Sequence, residues 1–455
     1  MGKYFGTDGI RGDANTTLSL ETALKIGRYV GNYYKKNGQG KIVVGKDTRL
    51  SSSMFENALA AAISSCGSDV YLLGYCSTPC LAYVAEKEKF DAGIMISASH
   101  NPFSDNGIKL FGNNGVKLAE EVLLLIEDYI DNPVGIEYAT KDQIGHIYEY
   151  SRGIEEYKEH INNLYPLDLS GYKLIVDLAN GSNCVTAKDV LNKTKAEVTY
   201  INDDFNGINI NNKCGSTHLQ MLQEKVKEGD YDLGFAFDGD ADRVLFVDHK
   251  GDVIDGDKIM YMLSKYLKEH NLLTNNTLVT TVMSNMGLFK ALEKININTN
   301  ITPVGDKYVL ESMLNNDFVI GGEQSGHIIY KNDANYGDGL RNALFVLKVL
   351  QEKNMNIDEA TSELRVYPQL LVNQRVVDKT IVLNDETINS KIKEISDELG
   401  DNGRILVRPS GTEPLIRVMV EAETDELCHK DVYEVIDLIK EKGYCAENEK
   451  NYQCR

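Results

Sequence analysis

No apolar run in the 455 residues approaches the ~20 needed to cross a bilayer, so a membrane span is not expected. The start, "MGKYFGTDGIRG", lacks both the basic lead and the apolar core of a secretory signal. It also has Gly6 where a myristoylation signal needs serine or threonine. Cysteine is sparse and scattered. Of eight, Cys76 and Cys80 are the nearest pair, and no second pair or histidine cluster completes a zinc site. A disulfide framework is not expected in a chain of this size, and reduced thiols in a cytoplasmic protein are. Positive charge is short too: 48 Lys and Arg face 68 Asp and Glu, a net charge of −20. That argues against a nucleic-acid partner or an anionic membrane surface. An anionic small molecule stays open, because cations gathered in a cleft dominate locally. Low-complexity tracts and short repeats are absent as well.

What is present is an alternation of strand-like apolar runs and helix-period segments, in a chain long enough for three or four domains. "KIVVGKDTR" (41–49), "DVYLLGY" (69–75) and "DAGIMISAS" (91–99) read as strands, and "LAEEVLLLIEDYID" as a helix. The rhythm returns at "KLIVDLANGS" (173–182), "AEVTYIND" (196–203) and "DLGFAFDGD" (232–240). It comes a third time at "NTLVTTVMS" (276–284), "NITPVGD" (300–306) and "FVIGGEQSGH" (318–327). Three α/β blocks in series follow. The adjacent strands "RILVRPSG" and "LIRVMVEAE" predict a last, antiparallel α+β domain, and the tail "AENEKNYQCR" is expected to fray. Domains are expected at 1–150, 151–252, 253–366 and 367–455.

The sharpest chemical signal is "FAFDGDADRVLFVD" (235–248). Asp238, Asp240 and Asp242 stand at every second position, which on extended backbone turns all three carboxylates to one side. Carboxylates that close raise one another's pKa unless a cation joins them, and a hard oxygen-bound ion such as Mg²⁺ resolves the conflict. An EF-hand fails, since Arg243 and His249 stand where glycine and glutamate are required. Mg²⁺ keeps positions for a phosphate oxygen, and Ser99, at the end of the strand in "ISASHNPFSDNGIKL", can supply one as phosphoserine. A serine hydrolase does not fit, because no glycine flanks Ser99 as a nucleophile elbow needs. On extended backbone His100 points away from Ser99.

"VRPSGTEPLIR" (407–417) gathers Arg408, Ser410, Gly411, Thr412 and Arg417, an inventory suited to a dianionic phosphate. "GGEQSGH" (321–327) places Glu323, Ser325 and His327 at alternate positions, able to read sugar hydroxyls or an amine. Arg11 and Lys109 are candidates for clamping phosphate or passing protons.

With these loops together, the chain resembles the α-D-phosphohexomutase family from end to end, through "KYFGTDGIRG", "ISASHNPFSDNGIKL", "FDGDADR", "GGEQSGH" and "RPSGTEPLIRVMVEA" in order. "NINNKCGSTH" (209–218) and "TVMSNMG" (281–287) resemble the subgroup acting on glucosamine phosphates. The resemblance implies a four-domain, heart-shaped fold: three related mixed α/β domains and a C-terminal domain, one loop from each meeting in a cleft. It implies a catalytic phosphoserine at Ser99 whose phosphate, with Asp238, Asp240 and Asp242, binds one Mg²⁺. Lys109 and His327 then transfer protons, Arg11 supports the phosphoserine, and His100 joins the catalytic set. Glu323 and Ser325 bind the sugar, while Arg408, Ser410, Gly411, Thr412 and Arg417 bind its phosphate. The implied activity is an isomerase interconverting glucosamine 6-phosphate and glucosamine 1-phosphate through a 1,6-bisphosphate, feeding amino-sugar synthesis. Glucosamine 1,6-bisphosphate or glucose 1,6-bisphosphate is the expected activator, and a homodimer is an open expectation. A sibling mutase for glucose or mannose phosphates shares every catalytic loop and is the alternative. Lys307 stands where the family commonly has arginine, which keeps a cation but loses a forked donor.

Overall fold

The computed structural model describes residues 2–35, 38–410 and 414–446, and the backbone of 452–453. The chain forms two compact units, residues 1–284 with 295–362, and residues 285–294 with 363–455.

The first unit contains three mixed sheets that share one strand order. In the first, Asp105–Gly112, Ala92–Ile96, Lys41–Lys46 and Asp69–Tyr75 lie side by side, flanked by Ile10–Asp13 and Ile147–Glu149. The second runs Val253–Ile254, Val244–Asp248, Leu233–Phe237, Lys173–Asp177 and Glu197–Ile201. The third runs Ile328–Tyr330, Ile320–Gly322, Thr277–Thr281 and Asn298–Thr302. In each, parallel pairing gives way toward one edge to antiparallel pairing, starting with a matching hairpin: Ala92–Ile96 with Asp105–Gly112, Leu233–Phe237 with Val244–Asp248, and Ile320–Gly322 with Ile328–Tyr330. The three hairpin loops are where Ser99, the aspartates and the Glu323–His327 segment sit.

The hairpin strands are anchored by burial. Every residue of Ala92–Ile96 and of Leu233–Phe237 is buried, each large aliphatic side chain contributing ~1.5–3 kcal/mol. Outside the first sheet the helix Leu20–Lys35 buries Ala23, Ile26, Gly27, Val30 and Gly31, the stripe expected of a 3.6-residue period. Its two glycines allow close packing on Ser52–Ser65: a Cβ on Gly27 would meet that of Ala62 at 2.7 Å. The helix Thr78–Lys87 starts on Ser77, whose side chain accepts from the Cys80 N–H.

In the second unit Arg404–Pro409 and Leu415–Glu421 pair antiparallel, as the sequence predicts, and Gln369–Arg375, which the sequence did not announce as a strand, pairs antiparallel with Leu415–Glu421. The tail departs from expectation: Tyr452–Gln453 adds a fourth short strand beside Val372 and Asn373, because that sheet edge offers unpaired backbone groups. The helix Met286–Lys294 also belongs to this unit, although the strands either side of it in sequence lie in the first. Glu421, with no surface exposure, accepts from the Met286 N–H at 3.1 Å and from Arg404 Nε at 2.8 Å.

Candidate active site

Ser99 is 1 % exposed and adopts φ 52, left-handed backbone that a serine enters only under constraint. Its Oγ donates to Asp238 Oδ2 at 2.6 Å. The left-handed turn also corrects the extended reading of this loop: His100 does not point away, and its Nδ1 lies 3.4 Å from Ser99 Oγ. Burial, then the Arg243 and Arg11 charges, push His100 down to about 3, so it is neutral near pH 7.

The three aspartates converge, but not through extended alternation. Residues 238–243 form a tight turn in the second sheet's hairpin, with Ala241 at φ 62, and the turn folds one carboxylate oxygen from each to within 4.8 Å of the others. Gly239 belongs here because a Cβ would meet Ser99 O at 2.6 Å. Burial first, and then the neighbouring aspartates, raise the Asp238 and Asp242 carboxyls. For Asp240 burial also works upward, but Lys109 outweighs it and holds the carboxyl below its ordinary value. Asp240 Oδ1 and Asp242 Oδ1 are buried without a hydrogen-bond donor. Acceptor oxygens that burial would otherwise penalise suit a hard divalent cation, so these residues fit Mg²⁺.

Around this cluster runs a chain of alternating charges. Lys109 Nζ lies 2.7 Å from Asp240 Oδ2, 2.8 Å from Asp8 Oδ2 and 3.8 Å from Asp242 Oδ2. Burial opposes its charge, but the three carboxylates win and hold Lys109 firmly cationic. Asp8 also pairs with Arg11 and, at 2.6 Å, with Lys117. Lys117 reaches Asp306 at 2.6 Å, and Asp306 lies 4.0 Å from His327 Nε2. Thr78 Oγ1 donates to Asp240 Oδ2. Arg11 is thus engaged by Asp8, and Lys307 pairs with Glu120 at 2.6 Å.

The Glu323–His327 loop is a hairpin turn, with Glu323 Oε1 accepting from the Gly305 N–H at 3.1 Å. Arg243 pairs with His327 as an isolated β-bridge and approaches Asp242 at 3.8 Å. Ser325 Oγ, His327 Nδ1, Arg11 Nε and Arg243 Nε are buried with no hydrogen-bond partner, which leaves four polar atoms ready for a ligand. A cavity of about 710 Å³ borders the cluster, lined by Asp8, Lys109, Lys117, Asp242, Asp306 and His327 among others. Sequence reasoning missed Asp8, Thr78, Lys117, Arg243 and Asp306 as site residues. Asp8, Arg243 and Asp306 lay inside quoted segments; Thr78 and Lys117 carried no signal beyond a single polar side chain.

The second unit's loop is likewise a hairpin. Arg408 and Arg417 face each other in register, and burial followed by the Arg417 charge lowers the Arg408 pKa. Like charges set opposite across strands destabilise a sheet unless an anion joins them. Ser410 is buried, its N–H donates to Leu415 O at 2.9 Å, and Lys379 Nζ donates to its carbonyl at 2.7 Å. Gly411 and Thr412 lie outside the described residues.

Four models of the phosphoglucomutase/phosphomannomutase family match in order: alpha/beta/alpha domains I, II and III at residues 2–134, 154–251 and 255–367, and the C-terminal domain at 371–437. Among curated proteins, a phosphoglucosamine mutase of Lachnoclostridium phytofermentans is 50% identical over 445 residues, covering 98% of this chain and 99% of its own. One from Lachnospira eligens is 49% identical over 450 residues, covering 98% and 100%. Among solved structures, a phosphoglucomutase/phosphomannomutase family protein of Burkholderia thailandensis superposes with TM-score 0.79 at 22% identity, covering 98% of both chains. An Aspergillus fumigatus N-acetylphosphoglucosamine mutase, solved with GlcNAc-6P and magnesium, gives 0.70 at 18% identity, covering 97% of this chain and 96% of its own. These two share the fold. With four domain models matched in order and half-identical relatives along nearly its whole length, the chain belongs to the phosphoglucomutase/phosphomannomutase family.

Proposed function

We propose that the protein interconverts glucosamine 6-phosphate and glucosamine 1-phosphate through a phosphorylated Ser99 and a 1,6-bisphosphate. The observation that carries this reading is Ser99 Oγ bonded to Asp238 at 2.6 Å beside two further buried carboxylates. The relatives about 50% identical and named phosphoglucosamine mutase favour the amino sugar over glucose or mannose. Asp238, Asp240 and Asp242, with an oxygen on Ser99, hold one Mg²⁺, which when bound neutralises charge on the phosphoryl group.

In the first half-reaction the sugar 1-hydroxyl attacks phosphorus. The bond from phosphorus to Ser99 Oγ breaks as the new one forms, and His327 takes the hydroxyl proton. Lys109, held cationic between Asp240 and Asp8, offers charge and a proton to the departing serine oxygen. His100, neutral and 3.4 Å from Ser99 Oγ, orients that oxygen. His327 is the second proton-transfer group, and Arg11 supports the phosphoryl group. Glu323 and Ser325 bind the sugar. Arg408, Ser410 and Arg417, with Gly411 and Thr412, bind the phosphate that is not in transit. The bisphosphate then turns end for end and returns its 6-phosphate to Ser99. Residues 1–150 thus bear the phosphoserine, 151–252 the metal, 253–366 the sugar contacts and 367–455 the phosphate contacts. Glucosamine or glucose 1,6-bisphosphate restores an enzyme that has lost its phosphate; an Aspergillus fumigatus relative was solved with glucose 1,6-bisphosphate. Among the described residues no helix is long and apolar enough to cross a membrane. We place the reaction in the cytoplasm, on a small phosphosugar, upstream of UDP-N-acetylglucosamine.

The test is a side-by-side comparison of kcat/KM for glucosamine, glucose and mannose phosphates, with mass analysis of the Ser99 peptide. The glucosamine substrate ranks first and Ser99 carries phosphate. A higher value for glucose or mannose reassigns the enzyme to its siblings, and an unmodified Ser99 peptide overturns the covalent route.

A further inference from the structure

Asp47 follows the strand Lys41–Lys46 and has no surface exposure, and the Arg49 side chain beside it is equally buried. The Asp47 carboxylate accepts from Ser97 Oγ at 2.7 Å, Ser52 Oγ at 2.8 Å, Arg49 Nε at 2.8 Å and the Arg49 N–H at 3.0 Å. A buried ion pair is tolerated when its remaining lone pairs and protons are satisfied, and this one is.

Two of the three side chains on Asp47, those of Ser97 and Arg49, then reach the Ser99 backbone. Ser97 Oγ, its own proton given to Asp47, accepts from the Ser99 N–H at 2.9 Å. The Arg49 guanidinium donates to the carbonyls of Ser99 at 2.8 Å, Asn101 at 2.9 Å and Asp105 at 3.0 Å, and to that of Pro102. From the second sheet's domain, Asn211 Nδ2 donates to Ser99 O at 2.8 Å and Asn101 O at 3.2 Å. Ser99 is gripped through both its amide and its carbonyl. The left-handed conformation costs ~1–2 kcal/mol, so an unheld loop would adopt it about 5–30-fold less often than its alternatives.

We infer that Asp47, Arg49, Ser97 and Asn211 are positioning residues for phosphoryl transfer: they hold Ser99 in the left-handed turn that aims Oγ at the carboxylate cluster. They thereby set whether the phosphoryl group passes to a sugar hydroxyl or leaks to water. This rests on Ser99 being the phosphoryl carrier. In either outcome the same bond from Ser99 Oγ to phosphorus breaks and the serine regains a proton. The new bond goes to sugar oxygen in transfer and to water oxygen in leakage, which releases inorganic phosphate.

The experiment loads wild type and variants from glucose 1,6-bisphosphate, confirms phosphate on the Ser99 peptide, and removes the excess. Two rates follow: transfer to glucosamine 1-phosphate, and release of inorganic phosphate without sugar. Ser97→Ala and Asn211→Gly each remove one grip and leave the Asp47–Arg49 pair intact, and glycine tolerates the left-handed backbone at 211 (φ 56). Arg49→Lys keeps the charge but cannot span four carbonyls. Transfer per phosphorylated Ser99 falls ~10–100-fold, as sub-ångström misplacement of a reacting group predicts, with KM nearly unchanged. The ratio of leakage to transfer rises by a similar factor, and Ser97→Thr restores it. A merely structural role lowers melting temperature and the loaded fraction but leaves that ratio alone. If wild type does not load phosphate on Ser99, the proposed reaction fails. If it loads and all three variants keep the wild-type ratio, the clamp is refuted.

Discussion

Gly239→Ala is the most direct probe of how the aspartate turn and the serine loop fit together. The glycine has an ordinary φ, so alanine introduces no backbone strain and acts through its methyl alone. That methyl would lie 2.6 Å from Ser99 O and 2.8 Å from both Asn211 Nδ2 and Ile210 Cδ1. Ordinary contact begins near 3.4 Å, so the Ser99 carbonyl has to retreat by about 0.8 Å. It cannot do so freely, because Arg49 and Asn211 both hold it at 2.8 Å. Overpacking of this kind costs about 1–3 kcal/mol in stability. A shift approaching 1 Å between the Ser99 oxygen and its carboxylate partners lowers kcat by ~10–100-fold. The assay is initial-rate kinetics at saturating substrate and Mg²⁺, with circular dichroism to confirm folding and thermal melting to read the loss of stability. A folded Gly239→Ala enzyme with wild-type kcat would falsify the claim that this contact fixes Ser99.

Ser99→Ala removes the proposed carrier; turnover falls to background while the circular dichroism spectrum and melting temperature stay near wild type, and substantial remaining activity would reject the covalent route. Asp240→Asn takes a charge from the cluster while keeping the shape, so the Mg²⁺ concentration for half-maximal activity rises at least ~10-fold; an unmoved Mg²⁺ titration removes Asp240 from the metal site. Glu421→Ala strips the acceptor from Met286 N–H and leaves Arg404 without its carboxylate, a loss of about 2–4 kcal/mol in the second unit. Hydrogen exchange localised to Met286–Lys294 checks it, and unchanged protection there would show that the carboxylate is dispensable.

Much of this was legible in the sequence, for physical reasons that also mark where legibility stops. The apolar runs around Ile42–Val44, Leu174–Val176 and Leu278–Val279 are fully buried strand centres, so their hydrophobicity reported them directly. Strand direction was not reported. "GIKLFG" and "VLFVD" are as apolar as their parallel neighbours, and composition does not record that each closes an antiparallel hairpin. The loops of the candidate site misled local reasoning at Ser99 and Ala241, where tertiary contacts impose left-handed backbone that neither residue favours. His100 came back beside the serine for that reason, and the aspartates met through a turn instead of along a strand. Lys117, Asp306 and Asn211 matter through partners far away in sequence, such as Asn211 with Ser99, and no local pattern announces such a pairing.

The helix Met286–Lys294 bears on how this protein can be dissected. Ten residues from mid-chain complete a body whose other residues begin at 363, capping Glu421 and setting Phe289 beneath the Arg404 guanidinium at 5.6 Å. A C-terminal fragment cut at the junction near residue 367 would omit that helix, taking the Met286 N–H from the buried Glu421 carboxylate and the Phe289 ring from Arg404 together. Gene fusions or domain exchanges that treat this last piece as a separable cassette would inherit the defect unless they graft the internal helix along with it.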